Sequence, residues 1–397
     1  MAGGTNGMTG SVGTGGIEGG GSDAASPGSM GGATAAGSGG TTTGAAGAGG
    51  SSASGGQASG GEGAGGTAAG NGGSSGAGVR PNSGLPVPPG GGVPRPDGTP
   101  GNLNVLDWAG FAAAVSYSFD DSLASQTQNY SALQATGVRM TFYVVCNNNA
   151  DNPVWSQALT DGHEVANHTS HHCHDDGSGC AWGTYAGSLT QELADCSAYI
   201  IDQIGAGGVY TTAAPFGDGG YASAAMSGFM INRGVNSGQI APNDATNPFS
   251  LPCHLAAENE AASSFNGLID SARSAGTWQV MLVHSLGGDG GYNPISVSTV
   301  TDSVLHAKDA GDVWVDSVVN VGAYWLGQKA LAAAAQTTQG DATTTWMWTL
   351  PENFPPKKYL RVTMDGGTLT QGGGALAWDD HGYYEIALDE GSLTLGP

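Results

Sequence analysis

The sequence is short of positive charge: 10 Lys and Arg stand against 33 Asp and Glu in 397 residues, a formal net charge of -23. Nucleic acid and anionic membrane surfaces would be repelled by such a chain, so neither is expected as a partner, and a neutral substrate fits better. No apolar run is long enough to cross a bilayer, and Met1-Ala2-Gly3 opens no basic, then apolar, then small-residue leader. No transmembrane segment is therefore expected. The N-terminal tail has the composition of a surface spacer, so the expectation is a secreted or surface-tethered monomer whose export signal is absent from this stretch. Aromatic residues are missing altogether before residue 101, where most of the 72 glycines lie among Ser, Ala and Thr. Without side chains to bury, residues 1–102 cannot offset their ordering entropy, and a disordered linker is expected, stiffer through Pro86 to Pro100. Cysteine is also scarce: Cys146, Cys173, Cys180, Cys196 and Cys253 are too few for a disulfide scaffold, and their odd count leaves at least one unpaired. Cys173 and Cys180 flank a short loop. They form either a bridge in an oxidising compartment or, with His174, part of a zinc cluster that lacks a second close pair of ligands.

What is present begins near Leu103. Ala112 to Phe119 places Val115, Tyr117 and Phe119 on one side of an extended segment that ends in Asp120-Asp121. Met140 to Cys146 is a continuous apolar run suited to a strand covered on both faces. Further strands are expected at His163 to Ala166, Val209 to Ala214, Phe229 to Asn232, Trp278 to His284 and Val313 to Asp316. Helices are expected at Gln126 to Ala135, Val154 to Leu159, Thr190 to Ile204, Ala256 to Ala275, Val297 to Ala310 and Val319 to Ala335. This alternation implies an α/β fold with parallel strands and crossover helices, long enough over residues 103–336 for a closed or nearly closed barrel. From about Thr343 short alternating strands with turns at Asp365-Gly366-Gly367 and Asp389-Glu390-Gly391 predict a small antiparallel β appendage, residues 337–397, packed against the barrel.

The densest chemistry lies in Gly-His-Glu-Val-Ala-Asn-His-Thr-Ser-His-His, from Gly162 to His172. His168 and His172 stand four apart, a spacing that brings two imidazoles to one face of a helical turn, and imidazole is the commonest ligand for a divalent metal. A catalytic site needs a carboxylate as well and a coordination position left to water. In a parallel barrel the carboxyl ends of the strands share one rim, and the polar candidates fall there repeatedly: Asp120 and Asp121, His168 and His172, Pro215-Phe216-Gly217, and His284. Taken singly, Asp120-Asp121 reads equally well as a helix cap and His284 as a core histidine. Their joint occurrence at several strand ends favours a site.

Ser118-Phe119-Asp120-Asp121, Gly162-His163-Glu164 leading to His168-Thr169-Ser170-His171-His172, Pro215-Phe216-Gly217 and Leu282-Val283-His284 together resemble the NodB-like polysaccharide deacetylases, carbohydrate esterase family 4, over roughly residues 110 to 330. The resemblance implies a distorted (β/α) barrel that removes acetyl groups from amino sugars or xylan with one divalent metal, zinc first, with cobalt and manganese as alternatives. It makes Asp120 the catalytic base, Asp121, His168 and His172 the metal ligands, and His284 the acid. The chemistry agrees with that division, since acetyl transfer to water needs a nucleophile, a donor for the oxyanion and a proton for the leaving atom. The backbone N–H of Phe216 is the candidate oxyanion donor. Pro215, Trp182 and Tyr292 are candidate substrate contacts; Tyr185 and Tyr221 also lie in loops near the rim. Many relatives carry an Arg two residues before the Pro of the third motif, where this chain has Ala213; Arg233 is the nearest candidate to replace it, and Asp244 the candidate for the Asp that tunes the acid histidine.

The expected function is metal-dependent hydrolysis of acetyl groups from a polysaccharide, with N-deacetylation of an N-acetylglucosamine polymer of chitin or peptidoglycan type first. The rivals are an O-acetyl esterase on acetylxylan, a carbohydrate-binding module whose chemistry has lapsed, and a His-rich loop that only buffers metal.

Overall fold

The computed structural model describes residues 83–397; of the expected linker, residues 1–82 lie outside the described residues. Strand β1 (Asn104–Val105) precedes the barrel, whose first and longest strand is β2 (Ala113–Phe119). All seven β2 residues are buried, as expected of a parallel strand covered on both faces. Tyr117 faces the helical layer, where its ring stacks on Phe265 and its hydroxyl meets Ser303 at 2.8 Å. Ser116 receives the Trp278 indole N–H at 3.0 Å, and Ser118 donates to the Met281 carbonyl at 2.9 Å.

Around β2 stand β3 (Thr141–Val144), β4 (Glu164–Asn167), β5 (Thr211–Ala213), β6 (Ile231–Arg233), β7 (His254–Leu255) and β8 (Trp278–Val283), all parallel, in the order β6-β5-β4-β3-β2-β8-β7. Strand β9 (Val313–Val315) pairs with the first half of β2. The ring closes through the segment leading into β7. Leu251 bonds β6 on one side, N–H to Asn232 and carbonyl from Gly234, and His254 and Leu255 pair with β8 on the other. The result is a distorted (β/α) barrel, closed as the alternation leads one to expect and distorted as the resemblance implies. The helices are α1 (Ala124–Gln128), α2 (Tyr130–Gln134), α3 (Val154–Thr160), α4 (Leu189–Tyr199), α5 (Gly220–Ala225), α6 (Ala262–Ala275), α7 (Val297–Ala310) and α8 (Val318–Ala332).

Helix α8 is apolar nearly all round, a pattern that demands burial on every side. It forms the floor of the barrel. The N–H groups of Val318 and Val319 bond Thr141 and Glu164 at the starts of β3 and β4, at 2.8 and 2.9 Å. Gly322 lies where a Cβ would come within 2.3 Å of Ile231 at the start of β6. Its other side carries the C-terminal strands. Strand β12 (Tyr359–Thr363) pairs with β1 and with β15 (Tyr384–Ala387), while β10 (Ala335–Thr338), β11 (Thr344–Met347), β16 (Ser392–Gly396), β13 (Thr368–Gln371) and β14 (Gly374–Ala375) make a second antiparallel sheet. One apolar cluster runs from Trp278 and Trp325 through Leu360, Val362 and Leu388 to Leu393, so these strands share a core with the barrel.

Residues 83–102 depart from the disorder expected of them. They run as an extended arm held by buried Arg361, which donates to the carbonyls of Pro86 and Leu85, and by Arg95 on Gly367 and the Trp378 indole on Val93. Backbone carbonyls need no apolar side chain to be gripped, so composition alone misses the contact. The expected helix from Ala256 begins only at Ala262, because Ala256 still donates its N–H to Leu282 of β8 and a turn follows in which the Glu260 N–H bonds the Ala257 carbonyl.

Candidate active site

The rim at the carboxyl ends of the strands brings Asp120, Asp121, His168, His172, Phe216, His284 and Tyr292 to the wall of one cavity of about 380 Å³, together with Ala214, Val235 and Leu255. Strand β2 ends at Phe119, and Asp120 stays in strand register by donating its N–H to Val283. Asp121 then turns sharply with φ 75° and Ser122 with φ 50°, a left-handed step that the Asp side chain tolerates. The Asn148 side chain holds the Asp121 carbonyl, and the Ser122 hydroxyl bonds the carbonyl of Asn148. The two neighbouring carboxylates are thereby aimed differently.

His168 and His172 come from a loop after β4 and not from a helical turn. Thr169 and His172 have φ of 67° and 52°, and the loop is fixed by Asn167 and Thr169 side chains accepting the N–H groups of Thr169 and His172. The four-residue spacing is right for a reason other than helix geometry. Buried Glu192 of α4 ties the same loop from beneath by accepting from the N–H groups of His171 and Ala186 and pairing with the His171 ring at 2.9 Å.

Asp121 Oδ1 lies 3.4 Å from Nε2 of His168 and 3.4 Å from Nε2 of His172, and the three residues are buried. His168 Nδ1 faces the Ala213 carbonyl at 3.0 Å, which fixes the proton there and leaves Nε2 as a lone pair. Asp121 Oδ1 has no conventional hydrogen-bond partner although it is buried. Two imidazole nitrogens and a carboxylate oxygen converging on one point, with that oxygen otherwise unsatisfied, is the donor set of a divalent cation. The chain's residues fit such an ion. Burial by itself would raise the Asp121 carboxyl, but the proximity and charge of His168, with the charges of His284 and His172, outweigh it and lower the pKa to about 2. For His168 burial is likewise overcome, by Asp120 and Asp121, and the pKa is raised. In His172 burial and the charge of His168 dominate, lowering the pKa to about 4. His284 is lowered mainly by burial.

Asp120 presents one oxygen, Oδ2, to the guanidinium of Arg233 and to His168 Nε2 at 3.6 Å; the other, Oδ1, is buried with no hydrogen-bond partner. Arg233 is fully buried, and its β6 position stands opposite Ala213 of β5 in the parallel register. The cation missing at Ala213 is therefore supplied by the adjacent residue of the next strand, with its guanidinium 5.4 Å from the Tyr143 ring centroid. Gln126, unnoticed in the sequence, links the two sides of the site: its Nε2 donates to the carbonyls of Asp120 and His284. A lone Gln at the start of a helix carries no signal for this.

Pro215-Phe216-Gly217 forms a tight turn in which Phe216 has φ 55°. The exposed Phe216 ring stacks on His174 at 3.8 Å and meets His172 edge-on at 4.5 Å. Pro215 is buried beneath the turn and does not line the cavity. Trp182 is half-buried with its ring edge-on to His172 at 5.5 Å, outside the cavity wall. Tyr292 is exposed and stands edge-on to His284 at 5.2 Å. Tyr221 is corrected: it is buried, with its hydroxyl on the Cys173 carbonyl. Asp244 is also corrected, because its carboxylate accepts from Ala241 and Thr246 in its own turn and not from His284. Cys173 and Cys180 are bridged, which removes both thiolates from the alternative zinc cluster, and a second bridge joins Cys146 to Cys196; Cys253 is free and buried.

Residues 112–226 match the family model described as polysaccharide deacetylase. No curated protein matches the chain. Among solved structures, a putative polysaccharide deacetylase from Mycobacterium smegmatis is similar at 14% identity, covering 60% of this chain and 96% of that one, with a TM-score of 0.40. A family 4 carbohydrate esterase from Streptomyces lividans is similar at 19% identity, over 52% of this chain and 92% of that one, with a TM-score of 0.36. The catalytic domain of a peptidoglycan N-acetylglucosamine deacetylase from Eubacterium rectale is similar at 15% identity, over 51% and 88%, also at 0.36. With the family match on residues 112–226, the four motifs and the barrel that carries them at one rim, this part of the chain is similar to the polysaccharide deacetylases of the NodB-like kind.

Proposed function

We propose that the chain is a metal-dependent hydrolase that removes the acetyl group from N-acetylglucosamine units of a chitin-type or peptidoglycan-type polymer. The observation that carries this reading is the pair of adjacent carboxylates with divided duties: Asp121 converges with two imidazoles, while Asp120 keeps a buried, unpartnered oxygen beside them. The chemistry that a divalent cation, zinc first, supplies in such a donor set is Lewis acidity toward the acyl oxygen and a lowered pKa for a nearby water. Asp120 Oδ1, buried and without a partner, would take the proton of the attacking water, with Arg233 fixing the other carboxylate oxygen. The backbone N–H of Phe216 donates to the oxyanion as the carbonyl carbon becomes tetrahedral. His284, held from behind by Gln126, gives a proton to the departing nitrogen. Tyr292, beside His284, is placed to stack on the sugar that carries the leaving group.

Two disulfides fit a compartment outside the reducing cytosol, which supports a secreted or surface-attached enzyme. The test is acetate release from chitooligosaccharides, peptidoglycan fragments and acetylxylan, with and without chelator. The reading expects chelator-sensitive release from the first two. Release from acetylxylan alone replaces it by O-acetyl esterase activity, and no release from any of the three, with metal supplied, overturns it.

A further inference from the structure

A second cavity, of about 360 Å³, opens at the opposite end of the barrel from the rim, where α8 ends and the C-terminal strands begin. Its position follows from its walls. Asp107 precedes the amino end of β2, and Asn243 follows Ile240, which exchanges hydrogen bonds with Trp278 at the amino end of β8. Gln328 belongs to the last turns of α8, and Gln336 and Trp346 are cross-strand neighbours on β10 and β11.

The lining has a distinct chemistry. It offers amides, one carboxylate and an indole, and no Lys or Arg. Several of these groups are unused: among the described residues the side chains of Asn243, Gln336 and Trp346 make no hydrogen bond. Gln328 is 3% exposed; its Nε2 donates to Asp107 at 2.9 Å, which fixes the amide's orientation, and its Oε1 is buried without a partner. A buried acceptor with no donor costs free energy that a ligand hydroxyl could recover. Planar polar groups that accept and donate in turn, beside one aromatic face, suit a molecule with many hydroxyls around an apolar ring face. The lack of cations argues against an anionic ligand.

We propose that this cleft is a second carbohydrate site, which binds one neutral sugar unit with Trp346 as its aromatic wall and Gln328 Oε1, Asn243, Gln336 and Asp107 on its hydroxyls. The cleft itself is independent of the catalytic reading; only the choice of N-acetylglucosamine as first sugar rests on the proposed function. On a polymer, a grip far from the rim adds to the hold of the active site without a new contact there, whereas a short oligomer occupies one site at a time.

The experiment is calorimetric titration of the full chain carrying Asp120→Asn, so that acetyl groups stay in place, with the N-acetylglucosamine pentamer and separately with xylopentaose. Trp346→Ala is compared with the double variant Asn243→Ala and Gln336→Ala, whose residues are exposed and whose loss should not unfold the chain. The expected result is that at least one of the sugars binds at two places per chain, and that each variant weakens one of these at least tenfold or removes it. Xylopentaose alone behaving so keeps the site and changes its sugar. No binding of either sugar, or binding that neither Trp346→Ala nor the double variant weakens, would overturn the proposal; a single place that both variants weaken keeps the cleft and counts against the rim. Acetate release by the unsubstituted chain is read separately, so the catalytic reading can fail while this one stands, or the reverse.

Discussion

Asp120 is a carboxylate at the foot of a cavity, and Arg233 is the fully buried cation on one of its oxygens. Removing one partner of such a pair strands the other in low dielectric, at a cost of about 3–5 kcal/mol. Arg233→Met should therefore lower unfolding free energy by roughly that amount in denaturant titration and cut acetate release by about 10²-fold through misplacement of Asp120. One metal per chain should still bind, because Arg233 touches none of the three ligands. Unchanged activity would remove Arg233 from the account. The proposed ligands themselves make the metal-free protein acid-sensitive in a defined window. His172 has its pKa lowered from 6.5 to about 4, so between those values the unfolded chain takes up a proton that the folded one refuses. Stability from this residue thus falls as pH drops from about 6.5 to about 4. Asp121, lowered from 3.8 to about 2, extends the loss below that range. His168, raised, acts oppositely: its contribution is complete below 6.5 and disappears as pH rises through its folded value. The difference in unfolding free energy between the chelated parent and His172→Ala should therefore change between pH 6.5 and 4 and level off outside that window. A flat difference contradicts the assignment.

At the scale of elements, the site depends on short, strained connections. Gly217 has φ +77° and sits where a Cβ would meet the Val235 side chain at 2.2 Å. Gly217→Ala should open the turn that presents Phe216, lowering kcat on every acetylated substrate at unchanged metal content; normal kcat would show that the turn is not needed for the oxyanion. Much at this scale was legible in advance. Met140 to Cys146 and Trp278 to His284 contain β3 and β8, since long apolar runs admit few other conformations, and Val297–Ala310 is a helix over the expected residues. Two-residue β7 was missed, because a strand that short has no periodicity and is defined by its neighbours on both sides. His168 and His172 were found through their spacing, though a turn of helix was the wrong reason. Glu192 and Gln126 were not found. Each works through a backbone group distant in sequence, and nothing local marks them.

Across the whole molecule, the barrel floor and the C-terminal strands bury each other. Trp325 and Leu326 of α8, Leu360 and Val362 of β12 and Leu388 belong to one cluster, and Arg361 holds the arm through Pro86. Burying a large apolar side chain is worth about 1.5–3 kcal/mol, and a folded protein has only about 5–15 kcal/mol in all. A chain ending at residue 336 should therefore fail to fold and be recovered as aggregate; a soluble, cooperatively melting product would show that the barrel stands alone.

The claim on which the rest depends is that Asp121, His168 and His172 hold one divalent ion. Zinc titration of the chelated, dialysed chain by calorimetry, with bound metal counted by elemental analysis, addresses it directly. One tight site per chain is expected, retained in Asp120→Asn and lost in Asp121→Ala. No tight site, or a site that survives Asp121→Ala unchanged, would contradict it.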